Sequence, residues 1–160
     1  MNSKRYSVGN MRTKKDMRFY LGIMRDQEKN TFAGVVLHKA EWFLGKADSD
    51  DFEVTRKWKA ASPPVAGECF CNAKKFCLGC PEARYFEGFY LIAGFPIHHA
   101  WNVLDGKVVD FTFEQVNREM LEERGYCETL YPLYYGLEVP RESLTDSQDP
   151  VAEAYFAKRM

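Results

Sequence analysis

The chain has 160 residues, of which 46% are hydrophobic and 28% charged, and its formal net charge is −1. These values are typical of one folded domain, which we place over residues 1–160, and so small a charge favours neither nucleic acid nor an anionic membrane as a partner. Basic residues interrupt the apolar runs near the N-terminus, and no apolar stretch approaches the ~20 residues needed to span a bilayer, so we expect a cytoplasmic protein.

The cysteines are expected to be reduced in that compartment. There are five of them: Cys69, Cys71, Cys77, Cys80 and Cys127. An odd count also fits poorly with a complete disulfide framework. Free thiols or a metal site are therefore the alternatives for this group.

The first 68 residues contain no motif that indicates catalysis or binding. Residues 1–16 are polar and predicted to be flexible. Apolar runs at residues 19–24 and 32–37 fit either a strand or a helix, because periodicity does not separate the two over so short a run; we favour a helix near residues 31–45. Residues 46–68 are predicted to be a polar connector, in which two prolines break the chain just ahead of the next element.

A helix is predicted from Cys69 to Leu78. Small and apolar side chains recur there at the spacing of one helical face, and Lys74 and Lys75 fall on the opposite face. The members of the first face are Cys69, Asn72, Ala73, Phe76 and Cys77. Gly79 ends the helix, so the thiol of Cys69 is placed at its N-terminus.

Strands dominate the next part of the chain. Residues 85–92 are rich in aromatic and branched side chains and predict a strand, in which Gly88 marks a bulge or a close contact. Residues 99–104 and 107–112 predict an antiparallel hairpin around the Asp-Gly pair at 105–106, a strong two-residue turn signal. A helix over 113–123, an edge strand within 126–137 and a short helix over 151–157 complete the prediction.

The hairpin turn determines which side chains share a face. A two-residue loop pairs Trp101 with Asp110, and this makes His99 a diagonal neighbour of Asp110 on one face. Diagonal Cβ atoms lie about 7–8 Å apart or somewhat less, a distance that a histidine and an aspartate can bridge. His98 points to the opposite face, so His99 is the histidine that the register selects.

Cysteine, histidine and aspartate in this order suggest nucleophilic catalysis by a thiol. A helix N-terminus and a neighbouring imidazolium both favour the thiolate, the reactive form of cysteine. In this interpretation Cys69 is the nucleophile, His99 the base and Asp110 the residue that orients the imidazole. Backbone N–H groups at the start of the helix are candidates to hold an oxyanion.

Each of these residues also has a structural interpretation. A helical cysteine is usually a small buried apolar group, a histidine on a strand is more often a hydrogen-bonded structural residue, and Asp110 fits the cap of the next helix. Asn72, Glu87 and Trp101 are the candidates for substrate binding, although Glu87 fits a structural ion pair better and Trp101 fits a core position equally well. The catalytic hypothesis rests on three residue types occurring together.

Five short motifs then carry a family resemblance. They are Cys-aromatic-x-Asn-Ala at residues 69–73, Arg-Tyr-x-Glu-Gly at 84–88, Pro-x-x-His-Ala-Trp at 96–101, Gly-x-Val-Val-Asp-x-Thr at 106–112 and Tyr-aromatic-Gly at 134–136. In them the chain resembles a group of bacterial and phage proteins with a papain-like or transglutaminase-like cysteine-hydrolase core. One departure is Phe111, which stands where that pattern has proline.

The resemblance implies an α+β fold in which the nucleophile helix packs on an antiparallel sheet, with the catalytic core over residues 65–137. It also implies Cys69, His99 and Asp110 as the triad of a cysteine hydrolase or transamidase, such as a thiol protease, with no cofactor. The expected substrate is a protein, a peptide or a small amide of unknown identity.

Two other functions compete with this one. Cys69, Cys71, Cys77 and Cys80 form a C-x-C-x5-C-x2-C pattern that could hold zinc, although a C-x-C pair cannot occupy one helical face. Alternatively, the hydrolase core could be a non-catalytic binding module that contacts a partner through the tyrosine-rich residues 126–137. We predict an enzyme with neither metal nor cofactor.

Overall fold

The protein is an α+β structure built on one five-stranded antiparallel sheet. The computed structural model describes residues 13–44, 49–92, 95–115 and 133–159. The strands are β1 (Glu41–Leu44), β2 (Arg84–Ile92), β3 (Phe95–Leu104), β4 (Lys107–Val109) and β5 (Leu133–Val139), and they lie in the order β1-β5-β2-β3-β4. The sheet therefore has β2 at its centre and the β3–β4 hairpin at one side.

Helices occupy most of the remaining described chain. They are α1 (Lys14–Asp26), α2 (Thr31–Lys39), α3 (Glu53–Ala61), α4 (Cys69–Gly79), α5 (residues 111–115) and α6 (Ala152–Ala157), with short 3₁₀ turns at Ser49–Asp51 and Arg141–Ser143. Helix α1 starts with a capping box between Thr13 and Asp16. In the described part of the chain, no helix has the length and the hydrophobicity that crossing a membrane requires.

The hairpin between β3 and β4 has the predicted two-residue turn. Leu104 pairs with Lys107 and Asn102 with Val109. The two turn residues, Asp105 and Gly106, have φ angles of 51° and 73°, the left-handed conformation that a type I′ turn requires. The register that selects His99 over His98 is therefore the observed one.

The two faces of the sheet have different cores. One face packs against α1, α2, α4 and α6 and includes Tyr85, Phe89, Ala100 and Tyr135. The other face carries an aromatic cluster in which Phe86, Tyr90, Trp101 and Tyr134 are the largest members. Because His99 and Trp101 alternate with Ala100 along β3, both point to the aromatic face.

Several predicted elements have different bounds or positions. The helix expected near residues 31–45 ends at Lys39, and residues 41–44 form β1. The connector over 46–68 contains α3, and β3 begins at Phe95 instead of His99. Strand β5 is not an edge strand, because it pairs with β1 on one side and β2 on the other. Much of the predicted helix over 113–123 lies outside the described residues, as do most of the predicted flexible residues 1–16.

The helix that carries Cys69 is buried on almost all sides, and of the two lysines on the face opposite the apolar one only Lys75 is exposed. Lys74 is fully buried, and its Nζ donates to Ser147 O at 3.1 Å and to Asp149 O. Burial lowers the pKa of this lysine. The sequence pattern missed this because the covering residues come from a segment more than seventy residues later in the chain.

Candidate active site

Cys69 is the first residue of α4, as predicted, and its side chain is 8% exposed. It lines the same narrow space between α4 and the hairpin as Asp110, Trp101 and Thr112. Strand β4 ends opposite Asn102, so His99 lies on a part of β3 that has no described strand on that side. Helix α4 packs on one face of the sheet, and the imidazole of His99 points to the other face. Because no described strand covers this part of β3, the start of α4 can approach the imidazole past the edge of the sheet.

His99 and Asp110 form the predicted pair. The Nε2 atom of His99 lies 2.5 Å from Oδ2 of Asp110, and both side chains are buried, with exposures of 4% and 1%. Asp110 follows the last residue of β4, which differs from the expected strand over residues 107–112. With Nε2 bound to the carboxylate, Nδ1 is the ring nitrogen left for exchange of a proton with another group.

Asp110 is held by two further hydrogen bonds. Its Oδ1 accepts from the backbone N–H of Phe113 at 3.0 Å, which makes Asp110 the N-terminal cap of α5. The hydroxyl of Tyr134 donates to Oδ2 at 3.0 Å. Burial, followed by the charge of Asp110, raises the pKa of Tyr134, so this hydroxyl stays protonated as a donor. Asp110 therefore caps α5 with Oδ1 and contacts His99 with Oδ2.

The surroundings of His99 favour its protonated form. The ring stacks on Tyr90, with centroids 3.9 Å apart. Burial lowers the pKa of His99, but the charge of Asp110, the hydrogen bond to it and the nearby thiol of Cys69 raise that pKa, to about 9 from a usual 6.5. At neutral pH the imidazole is therefore an imidazolium beside the thiol.

Asn72 connects α4 to the chain on both sides of the triad. Its amide group pairs with the backbone N–H and C=O of Val65, at 3.0 and 2.9 Å, and so holds the segment that leads into Cys69. The same amide nitrogen donates to Thr112 Oγ1 at 2.8 Å. Asn72 thus joins the cysteine-bearing helix to the residues that follow Asp110, and its three described side-chain hydrogen bonds are all made within the protein.

Glu87 lies apart from the triad. It is fully buried and accepts from the hydroxyl of Tyr85 at 2.7 Å and from the backbone N–H groups of Val151 and Ala152 at 2.8 and 3.1 Å. These donors occupy the carboxylate and fix the start of α6. Trp101 is also fully buried, with its ring 4.9 Å from that of Tyr134, in the core beneath the site.

The cysteines near Cys69 do not converge on a metal position. Cys71 Sγ donates to Asp146 O at 3.1 Å, Cys77 Sγ to Ala83 O at 3.3 Å, and Cys80 Sγ approaches Glu82 Oε2 at 3.4 Å. Among the described residues, no group of three or more His, Cys, Asp or Glu side chains is arranged to bind a metal ion. Burial raises the pKa of Cys77 and of Cys80, which keeps both as thiols.

No role at the site was predicted for Tyr90, Tyr134 or Gln148, and the structure brings all three to it. Tyr134 lies in one of the short motifs. Residues two apart on a strand share a face, so its spacing from Gly136 was the available indication of the face to which Tyr134 points. Gln148 gave no signal, because its partners, Gly67 and Cys71, are about eighty residues away in the chain.

Comparison with known proteins gives no match to a family model, a curated protein or a solved structure. The function of this chain is therefore inferred from the geometry of Cys69, His99 and Asp110.

Proposed function

We propose that this protein is a thiol-dependent acyl-transfer enzyme with a papain-like or transglutaminase-like arrangement of Cys69, His99 and Asp110. The observation that carries the proposal is the buried His99–Asp110 hydrogen bond of 2.5 Å beside a cysteine at the first residue of a helix. A buried aspartate that accepts from one ring nitrogen fixes the orientation of the imidazole. The substrate class is an amide, an isopeptide or an ester.

The reaction has two steps. The sulfur of Cys69 attacks the carbonyl carbon, the C–N or C–O bond of the substrate breaks, and His99 gives a proton to the departing amine or alcohol. The product of this step is a thioester on Cys69. Water or an amine then attacks the thioester, His99 takes the proton of that nucleophile, and the acyl group leaves as an acid or a new amide while the thiolate and imidazolium are restored.

The first turn of α4 supplies candidate donors for the oxyanion. The N–H of Asn72 is bonded to Glu68 O, and the N–H of Cys71 to Gln148 Oε1, both at 2.9 Å. Within the described part of the chain, no acceptor is bonded to the N–H of Cys69 or Phe70. These two groups point from a helix N-terminus, where partial positive charge stabilises an anion.

A non-catalytic binding module on the same fold is the second candidate. The observation that favours it is the limited exposure of the triad, in which each side chain is less than one tenth accessible. In that case the His99–Asp110 pair would serve only to stabilise the hairpin and α5.

Labelling with iodoacetamide, a small neutral alkylating agent, followed by peptide mass spectrometry distinguishes the two candidates. For an enzyme we expect Cys69 to react at pH 7 at least about tenfold faster than a cysteine in an unfolded peptide, because an adjacent imidazolium favours the thiolate. His99→Ala should remove that advantage.

The neighbouring histidine provides a matched control. His98 lies on the opposite face, where its ring packs against Phe32 and Phe70. His98→Ala removes a packing contact of α4 but no proton partner of the thiol, so it should slow the labelling of Cys69 far less than His99→Ala does. Slow labelling in the wild type, or equal loss of rate in both histidine variants, would favour the binding module.

A further inference from the structure

The side chain of Gln148 bridges the chain on either side of Cys69. Its Oε1 accepts from the N–H of Cys71 at 2.9 Å, and its Nε2 approaches Gly67 O at 3.4 Å. One amide group therefore contacts the residue two positions before the cysteine and the residue two positions after it.

Helix α4 lacks the usual means of closing its first turn. Its N-cap residue, Glu68, makes no side-chain capping bond. A capping side chain normally accepts from the N–H of the second or third helical residue, and Cys71 is the third. Gln148 makes this bond from a distant part of the chain.

The segment ahead of Cys69 also needs support from outside. Gly67 has a φ of 77°, so the chain turns through a left-handed residue immediately before the helix. Asn72 holds Val65 from the inner side, and Gln148 holds Gly67 from the outer side. Together they fix the path of the backbone into Cys69.

We propose that Gln148 is a positioning residue that keeps Cys69 in place beside His99, an inference that rests on the proposed function. The backbone around Gln148 is anchored independently of its side chain. Cys71 Sγ donates to Asp146 O, and Lys74 Nζ donates to Ser147 O and Asp149 O. Substitution of Gln148 therefore removes the bridge and leaves the rest of residues 144–150 in place.

A double-mutant cycle on the full chain tests this inference, with iodoacetamide labelling of Cys69 across pH as the readout. In Gln148→Ala we expect labelling at pH 7 to slow about fivefold and its pH midpoint to rise, because a loosened first turn carries the thiol away from the imidazolium. In a His99→Ala background the same substitution should change the rate by less than about twofold, because the partner is already missing.

Two further variants separate positioning from stability. Gln148→Glu keeps an acceptor for the N–H of Cys71, loses the donor to Gly67 O and adds negative charge at the first turn of α4. Its labelling midpoint should therefore also rise, while its urea midpoint does not fall because the charge favours a helix N-terminus. Thr145 is exposed and its hydroxyl donates to Ser147 of the same segment, so Thr145→Ala should match the wild type in both measurements.

The outcomes separate the two proposals. Equal slowing by Gln148→Ala in both backgrounds, or no slowing in either, would overturn the role of Gln148 and leave the triad intact. A wild-type chain that labels no faster than His99→Ala would overturn the triad and the role of Gln148 together.

Discussion

At the scale of single residues, Asp110 connects the fold to the proposed chemistry. One carboxylate oxygen caps α5, and the other accepts from His99 and Tyr134. An aspartate can do both because each oxygen has two lone pairs. The capping interpretation and the catalytic interpretation of Asp110 are therefore compatible, and its variants are expected to affect both properties.

The imidazole of His99 should titrate well above its usual range because of Asp110. We expect a pKa of about 9 in the wild type. In Asp110→Asn it should fall towards 6.5 or below, since the neutral amide removes the charge that opposes the effect of burial. Two-bond ¹H–¹⁵N NMR spectra of the histidine rings across pH 5–10 measure this directly.

The control for that titration is Asp105→Asn in the same hairpin. Asp105 is exposed and has a positive φ, which asparagine tolerates. It should leave the titration of His99 unchanged. A His99 pKa near 6.5 in the wild type, or the same value in Asp110→Asn, would contradict the assigned cause.

At the scale of elements, the sequence was most informative where the signal was local. The Asp-Gly turn determined the register of β3 and β4, and helical periodicity with a flanking glycine predicted α4 to within one residue. The hairpin register alone made His99 and Asp110 neighbours, and they remain so although β4 ends one residue before Asp110. The predicted short helix near the C-terminus is likewise present, as α6.

Contacts between distant segments could not be predicted in this way. The burial of Lys74, the bridge from Gln148 and the interior position of β5 all depend on which segments meet in the folded state. Helical periodicity and residue content each describe one element at a time, so they placed Lys74 on the face opposite the apolar one and the strand within 126–137 at an edge, without showing what covers either of them. For Gly88 the sequence left two alternatives, a bulge or a close contact. Strand β2 pairs without a bulge there, and Gly88 makes a close contact with Gly136.

Gly136 provides a stability prediction for the sheet. A Cβ at this position would overlap the ring of Trp101 and lie 2.7 Å from Glu87 O. The backbone oxygen cannot move without disturbing β2, so Gly136→Ala should lower the free energy of unfolding by about 1–3 kcal/mol through overpacking. Urea denaturation followed by tryptophan fluorescence measures the change.

A glycine in open space is the matched control. A Cβ at Gly22 in α1 would meet nothing within 4 Å. Because alanine favours a helix over glycine, Gly22→Ala should raise the free energy of unfolding by up to about 1 kcal/mol. Equal effects of the two substitutions would contradict the close approach of Gly136 to Trp101.

At the scale of the whole molecule, residues 144–157 contribute two buried side chains and several backbone groups to the core. Leu144 and Ala152 pack in the same cluster as Cys69. The segment supplies backbone acceptors to the buried Lys74 and backbone donors to the buried Glu87. Two charged groups inside the protein therefore depend on the end of the chain for their partners.

A chain that stops after Ser143 should consequently fail to fold cooperatively. Leaving a buried charge without its partners costs roughly 3–5 kcal/mol, and two such losses approach the whole stability of a typical domain, about 5–15 kcal/mol. We expect loss of the near-ultraviolet circular dichroism of the buried aromatic cluster and a broad, non-cooperative urea transition. A chain that stops after Ala157 keeps every one of these contacts and should unfold like the full-length protein. Cooperative unfolding of the shorter chain at a similar urea midpoint would show that the final segment is an accessory to the fold, in which case Lys74 and Glu87 must compensate each other.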